Sequence, residues 1–499
     1  MTVSALLAAL FVGSFFHIDL GPKIESPLAY NMPPAYVMTV SADLKEGTSA
    51  ADPITPETAW WKLFNEPVLD RCIDEAFAKN RDLEHALAVI AQARASFNIA
   101  RGNQRPSLSV GVDISRSYVL GDANGTANET NTMDPAAGMS YEMDLWGKLQ
   151  KATRAAKENI IATEAAKNAI RLALASEVAK NYFSLRATDK QILIAEANLL
   201  SQKQTLELTR YMYEHGQVSE LDLRRSEALV HSTEIELQRL QLALSQYENS
   251  LLLLMGSSPE EFAKREIPRG VNVDELPPCP EIPEDLPVRL LVQRPDIIEA
   301  EYTYRTALAN IGSARAEQYP AISFTGLIGN LADSPQTMFS GPSGWSAAAA
   351  FLAPIFNGGK LQANVKRNEA IAQQALASYY KTVQTAMKET LDAIAANQRN
   401  AEIVNSVIAQ EIAQRRAYEL AQIQYIDGSI NQLDLLDAQR NLLSVQLEVI
   451  GDMSDRLNAA VSLCQALGGG WKYRADDDLE MKPLARPWAK DAARKDDRN

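Results

Sequence analysis

Gly147-Lys148-Leu149-Gln150 and, 212 residues later, Gly359-Lys360-Leu361-Gln362 are the two stretches that decide how this chain is read. The echo continues downstream. Tyr213, Gly216, Leu221-Asp222-Leu223 and Gly256 return at the same separation as Tyr425, Gly428, Leu433-Asp434-Leu435 and Gly468. Upstream, Ala100-Arg101, Gln104 and Pro106 return 214 residues on as Ala314-Arg315, Gln318 and Pro320. Anchors in one order at nearly one offset mark a tandem duplication, not a solenoid array, whose periods run ~20–50 residues. The first copy is placed at 57–266 and the second at 288–470, with a Pro-rich linker at 267–287 between them.

Each copy reads alike. A helix comes first, over 67–104 or 288–318, and its end is marked by Pro106 or Pro320, since proline cannot continue a helix. Two strands follow. A very long helix then covers 148–214 or 360–426, a glycine turn at Gly216 or Gly428 ends it, and a last helix runs over 219–256 or 430–467. The fold class is therefore α+β. The strands of the first copy are the clearest. Over 107–115, Leu108, Val110, Val112 and Ile114 alternate with Ser, Gly and Asp, and over 139–145, Met139, Tyr141, Met143 and Leu145 alternate with Ser140, Glu142 and Asp144. In the second copy Ile322 and Phe324 alternate with Ser323 and Thr325, and 345–356 is an Ala-rich apolar run. The segments between paired strands, 119–135 and 331–344, read as polar loops. One apolar and one polar face suit a membrane barrel strand. They equally suit a half-buried sheet in a soluble protein.

Composition narrows the function classes. The chain has 499 residues, is 46% hydrophobic and only 7% aromatic, and carries a net charge of −14. That balance argues against a nucleic-acid partner, which needs clustered Lys and Arg. Cys72, Cys279 and Cys464 show no CxxC or CxxH spacing, and the four histidines lack ligand spacing, so neither a disulfide framework nor a metal site is expected. No Walker A, G-x-S-x-G or HExxH motif occurs, and neither an enzyme activity nor a cofactor is expected. Met1 to Phe16 is apolar and uncharged, which fits the h-region of a signal peptide, and 1–20 is read as a signal-like terminus. The stretch 471–499 is read as a disordered, charged tail.

Length then separates the two readings of the strands. A helix of 67 residues spans roughly 100 Å, and this chain has two. The two shorter helices of each copy, stacked end to end, match one long helix. Four strands cannot close a barrel, for which eight is about the bacterial minimum, and an open edge in lipid leaves backbone groups unsatisfied. Three chains would supply twelve strands and close them by cyclic symmetry.

The motifs sharpen this. Trp60-Trp61-Lys62-Leu63-Phe64, Asp144–Leu149 (DLWGKL), the Tyr-x-x-Gly-x-x-Ser-x-Leu-Asp-Leu at Tyr213–Leu223, Gln293-Arg294-Pro295-Asp296 and Leu433–Arg440 (LDLLDAQR) together resemble the TolC/NodT outer-membrane efflux family, over about 57–470. The resemblance implies a homotrimer in the outer membrane of a Gram-negative cell. It has a twelve-stranded transmembrane barrel set in outer-membrane lipid and a helical barrel crossing the periplasm. It also implies a periplasmic adaptor and, through it, an inner-membrane pump of the RND or ABC type. The function expected is passive exit of small molecules. A type I protein-secretion duct shares the fold, and a periplasmic coiled-coil scaffold is the rival from another class. Many NodT-type members carry a lipidated Cys before a Gly-Pro pair; here Gly21-Pro22 is present and no Cys precedes Cys72.

Asp434 and Asp437 lie three apart just after the Gly428 turn, on one helix face. Two readings stand beside each other: helix-start carboxylates favoured by the dipole, or a constriction. The resemblance favours the constriction, with Leu433 and Arg440 beside them. It also implies that the turns around Gly216, Ser219, Leu221 and Asp222, and around Gly428 and Ser429, meet the adaptor.

Overall fold

The computed structural model describes residues 20–22, 59–119, 128–264, 267–275, 294–330, 332–334, 336–337 and 339–469. Its helices are α1 (Pro67–Lys79), α2 (Arg81–Gly102), α3 (Lys148–Glu214), α4 (Glu220–Leu254), α5 (Pro259–Lys264), α6 (Pro295–Ala316), α7 (Lys360–Ile426) and α8 (Gln432–Ala466). Its strands are β1 (Ser107–Val119), β2 (Asn128–Met143), β3 (Ala321–Asn330) and β4 (Ser343–Leu352). The signal-like terminus up to residue 19, the linker from 276 to 293 with Cys279, and the tail from 470 lie outside the described residues.

The duplication is visible in helix lengths. α3 and α7 have 67 residues each, α4 and α8 have 35 each, and α2 and α6 have 22 each. One expectation is corrected. The single helix expected over 67–104 is two helices, divided at Asn80, which is extended and accepts hydrogen bonds from the amides of Asp82 and Leu83 at 2.9 and 3.2 Å. That is an N-cap, and it starts a new helix where sequence periodicity alone shows none. The Asn80 amide also donates to the carbonyl of Leu254 at the end of α4, 3.0 Å away. In the second copy Arg294 donates to the carbonyl of Ala466 at the end of α8, again at 3.0 Å. Donors and acceptors stand at the offsets of the sequence anchors. Among the described residues the two copies correspond from α2 and α6 onward.

The strands also depart from expectation. β2 starts at Asn128, inside the stretch read as a loop, and β4 stops at Leu352, short of 356. A ladder is made by backbone groups, so the Asn- and Thr-rich residues 128–132 extend it without apolar side chains. All three pairings are antiparallel in the order β1-β2-β3-β4. Their register collects the apolar residues on one face: Leu108 sits opposite Met139, Tyr141 opposite Phe324, Ile328 opposite Trp345 and Ile322 opposite Phe351. The other face is mostly polar and small, with Ser107 opposite Ser140, Ser140 opposite Thr325, and Thr325 opposite Ala348, and it also carries Leu327 and Leu352. In one protomer the apolar face is bare: Leu108, Val110 and Trp345 are 82, 84 and 79% exposed. The sheet continues into the helices at one end only, where Ser107, Met143, Ala321 and Leu352 lie together.

Helices α2, α3, α6 and α7 stand side by side below the sheet, and α4, α3, α8 and α7 below them. The main core lies midway, where Trp60, Trp61, Phe64, Leu69 and Cys72 pack on Tyr182 and Phe183 of α3 and on Val461 and Cys464 of α8. The start of the linker is strapped onto this core. Arg186 donates to the carbonyls of Gly270 and Val271 and to the side chain of Asn272, while buried Glu66 accepts from the amide of Val271 at 3.2 Å.

Candidate functional site

The far end of the helices carries both families of expected residues. The α3–α4 turn closes by a left-handed glycine, Gly216 at φ +70°, with the amide of Gln217 reaching back to the carbonyl of Met212 at 2.8 Å. The α7–α8 turn repeats it: Gly428 at φ +73°, and Ser429 to Gln424 at 2.8 Å. Both are glycine C-caps, in which a Cβ is disfavoured by conformation. A Cβ at either position would meet nothing within 4 Å, so within the protomer the glycines serve backbone shape and not close packing.

Each following helix is capped by its own side chain. Ser219 accepts from the amide of Asp222 at 3.2 Å and donates to its carboxylate at 2.6 Å. Asn431 accepts from the amide of Asp434 at 3.0 Å. Asp434 therefore is a helix-start residue. Its side chain is exposed, as are Leu433 and Arg440, whereas Leu435, Leu436 and Gln439 are buried against the protomer. Leu433, Asp434, Asp437 and Arg440 thus share the face of α8 that its own chain does not cover. Arg440 donates to Asp437 on the same chain at 2.8 Å. The structure brings these four together on α8, while Leu221 and Asp222 begin α4; Leu221 is exposed, and the Asp222 carboxylate is held by Ser219 and approached by Arg225 at 3.7 Å.

Two features of the tip escaped sequence reasoning. Buried Gln432 donates to Thr209 of α3 at 3.1 Å and to Ser226 of α4 at 2.7 Å, which ties the start of α8 to the first copy. Tyr425, near the end of α7, has its hydroxyl pKa raised first by burial and then by the Asp222 carboxylate of the other turn. Tyr425 is an anchor of the duplication, paired with Tyr213, yet that spacing gives no sign of Asp222, and Gln432 lies outside the quoted motifs. Exposed Tyr211, Leu221 and Ile426 add apolar surface around the turns. Among the described residues no group of His, Cys, Asp and Glu is placed to hold a metal, and no helix is long and apolar enough to cross a membrane.

Comparison with known proteins agrees with this architecture. The family described as outer membrane efflux protein matches residues 72–257 and 286–469. A Pseudomonas putida protein named as the probable efflux pump outer membrane protein TtgC is 34% identical over 97% of this chain and 99% of its own. The probable outer membrane lipoprotein SilC of Salmonella typhimurium is 31% identical over 89% and 94%. The open state of the MtrE outer membrane channel of Neisseria gonorrhoeae superposes with a TM-score of 0.78 at 28% identity, covering 91% of this chain and 99% of that one.

Proposed function

The chain belongs to the outer membrane efflux protein family, and on that premise we propose that three copies close into one exit duct, gated where α8 starts. The duct lies in the outer membrane and extends into the periplasm. It passes small molecules received from an adaptor and an inner-membrane pump, takes no catalytic step, and draws its energy from the pump. The names of the relatives favour efflux cargo over a secreted protein.

One observation carries the oligomeric reading. The unpaired edges of the protomer coincide from top to bottom. On one side stand β1, α2 and α4; on the other stand β4 and α7. A β4–α7 edge meeting the β1–α2–α4 edge of the next copy repeats head to tail and closes by rotation, which removes every open strand edge. Twelve strands result from three copies.

For the gate, three copies bring six aspartates and three Arg440 side chains around one axis. The Asp437–Arg440 pair is half exposed, and such pairs are worth about 0–1 kcal/mol each, a latch weak enough for a docking adaptor to open. The two glycine turns, with Ser219, Leu221, Asp222 and Ser429, are the surface an adaptor would meet. Single-channel conductance of the purified trimer in planar bilayers is the test. Asp437→Ala with Arg440→Ala should raise conductance, and Asp434→Ala with Asp437→Ala should relieve block by divalent cations. If both variants conduct and block like the parent, these residues only start a helix.

A further inference from the structure

We propose that the base of the sheet carries a cationic collar that binds the headgroups of anionic phospholipids in the periplasmic leaflet. The proposal rests on reading the sheet as the membrane-spanning wall. All four junctions between strand and helix lie at one end of the sheet. The stretches that form that end are 97–106, 144–158, 312–320 and 353–369. Together they hold ten Lys and Arg against four Asp and Glu, in a chain whose net charge is −14. The charge of this zone is thus opposite to that of the molecule.

Helix dipoles nearly offset here, since α3 and α7 begin in the zone and α2 and α6 end in it, so side chains carry the excess charge. α1, α2, α4, α6 and α8 each carry an acidic residue in the first turn, as the dipole favours. α3 and α7, the two helices that leave the sheet, carry none. They carry cations early instead: Lys148, Lys151 and Arg154 on α3, and Lys360, Lys366 and Arg367 on α7. A cation at the positive end of a helix is unfavourable unless an anion lies close by. Some find one in the chain: Lys148 with Glu142 at 2.5 Å, Arg154 with Glu158 at 3.5 Å and Arg315 with Glu369 at 2.8 Å. Arg101, Arg105, Lys157, Lys360, Lys366 and Arg367 form no ion pair with any described residue.

The zone also has the shape and the neighbours that a lipid headgroup needs. A cleft of about 490 Å³ between α2 and α3 is lined by Gln104, Gln150, Lys151, Thr153, Arg154 and Lys157. At the β4–α7 junction Ile355 and Phe356 are 96 and 90% exposed, and between the β2–α3 and α6–β3 junctions Trp146 stacks on Tyr319 with ring centroids 5.0 Å apart. Apolar and aromatic side chains followed by cations are the signature of a membrane–water interface. From Lys148 to Lys157 the helix descends ~14 Å, and a headgroup layer is ~5–8 Å deep, so the first turns lie among headgroups and lower cations reach up on their apolar stems. Anionic surface charge is attracted to such clusters with a strength that salt screens. The partner chemistry is a phosphodiester with net negative charge, such as phosphatidylglycerol, as opposed to a zwitterionic headgroup.

The test uses the full-length trimer in nonionic detergent, titrated with dioleoylphosphatidylglycerol or dioleoylphosphatidylcholine and read by native mass spectrometry. The parent should prefer the phosphatidylglycerol, and the preference should fall with salt. The quadruple variant Arg101→Gln, Lys157→Gln, Lys366→Gln, Arg367→Gln should bind it about tenfold more weakly, with phosphatidylcholine unaffected. A charge-keeping variant, Arg101→Lys, Lys157→Arg, Lys366→Arg, Arg367→Lys, should bind like the parent. Equal binding by parent and quadruple variant overturns the collar. So does a variant whose only change is in the ion selectivity of the open channel, because the cations then face the lumen. A parent that conducts in bilayers yet shows no phosphatidylglycerol preference sinks the collar alone; a parent that forms no conducting trimer sinks the duct reading beneath it.

Discussion

The two 67-residue helices are copies of each other, but they have opposite environments. Within one protomer α3 buries 21 residues and α7 buries nine, so α3 is a core helix and α7 an edge helix. α3 is flanked by α4 and α8 in its lower half and by α2 and α6 above, whereas among the described residues α7 packs mainly on α6 and α8. Tyr182 and Phe183 of α3 are fully buried; the residues at the same offset in α7 are Ile394 and Ala395. Tyr379 and Ile394 of α7 are buried, but others of its apolar side chains, such as Ile412 and Ile423, are more than half exposed. Duplication thus supplies one element for two tasks. One copy organises the protomer, and the other leaves an open edge, which the proposed trimer would cover.

The largest effect that could break this contrast is a core truncation. Phe183→Ala on α3 should cost about 3–5 kcal/mol, because it opens a cavity among Phe64, Tyr182 and their neighbours. Ile412→Ala on α7 should leave the unfolding of an isolated protomer within about 0.5 kcal/mol of the parent, as exposed sites do, and weaken the trimer instead. Denaturant unfolding and cross-linking of the same two variants measure both. Equal losses of protomer stability would make the two helices equivalent after all.

Much of this was legible in the sequence. The bounds of α3 and α7 and the positions of both glycine turns follow from the anchors, because a long helix ended by a left-handed glycine leaves a plain pattern. The break at Asn80 was not legible. An asparagine inside a helical pattern becomes a cap only when its amide finds the Leu254 carbonyl, 174 residues away. The polar part of β2 was hidden for a similar reason, since backbone pairing does not register in side-chain alternation. At the tip, Asp434 and Asp437 could be placed on one face from spacing alone, while the Gln432 bridge depends on packing between the two copies.

The paired caps offer a finer comparison. Arg294 is buried and donates to Ala466, to Asp296 at 2.8 Å and to Glu389 at 2.7 Å. Arg294→Met should cost about 2–3 kcal/mol, since charged hydrogen bonds are lost and a helix-end carbonyl keeps only Thr390 at 3.4 Å. Asn80→Ala should cost about 1–2 kcal/mol, the usual worth of an N-cap. Thermal unfolding would rank them. A reversed order would place the tighter joint in the first copy.

The smallest expected effect is in the pH dependence, and it separates the helices by sign. Burial lowers the pKa of Lys167 and Lys180 on α3 below 10.5. On α7, the hydrogen bond from Lys388 to Asp392 raises the pKa of Lys388 above that value. In the window between the lowered folded values and 10.5, the unfolded chain binds more protons at Lys167 and Lys180, so their contribution makes stability rise with pH. Lys388 acts oppositely: its stabilisation is complete below 10.5 and disappears as pH climbs through its raised folded value. Replacing Lys167 and Lys180 by Met removes two half-buried charges and keeps their apolar stems. The double variant should melt on the order of 1–2 °C higher than the parent at neutral pH, and the gap should close toward pH 10. Lys388→Met should instead melt at or slightly below the parent at neutral pH, with that difference vanishing only in stronger alkali. If the double variant keeps the parent's full rise in melting temperature between neutral pH and pH 10, burial of these α3 lysines is not its source, and the charge contrast between the two helices is lost.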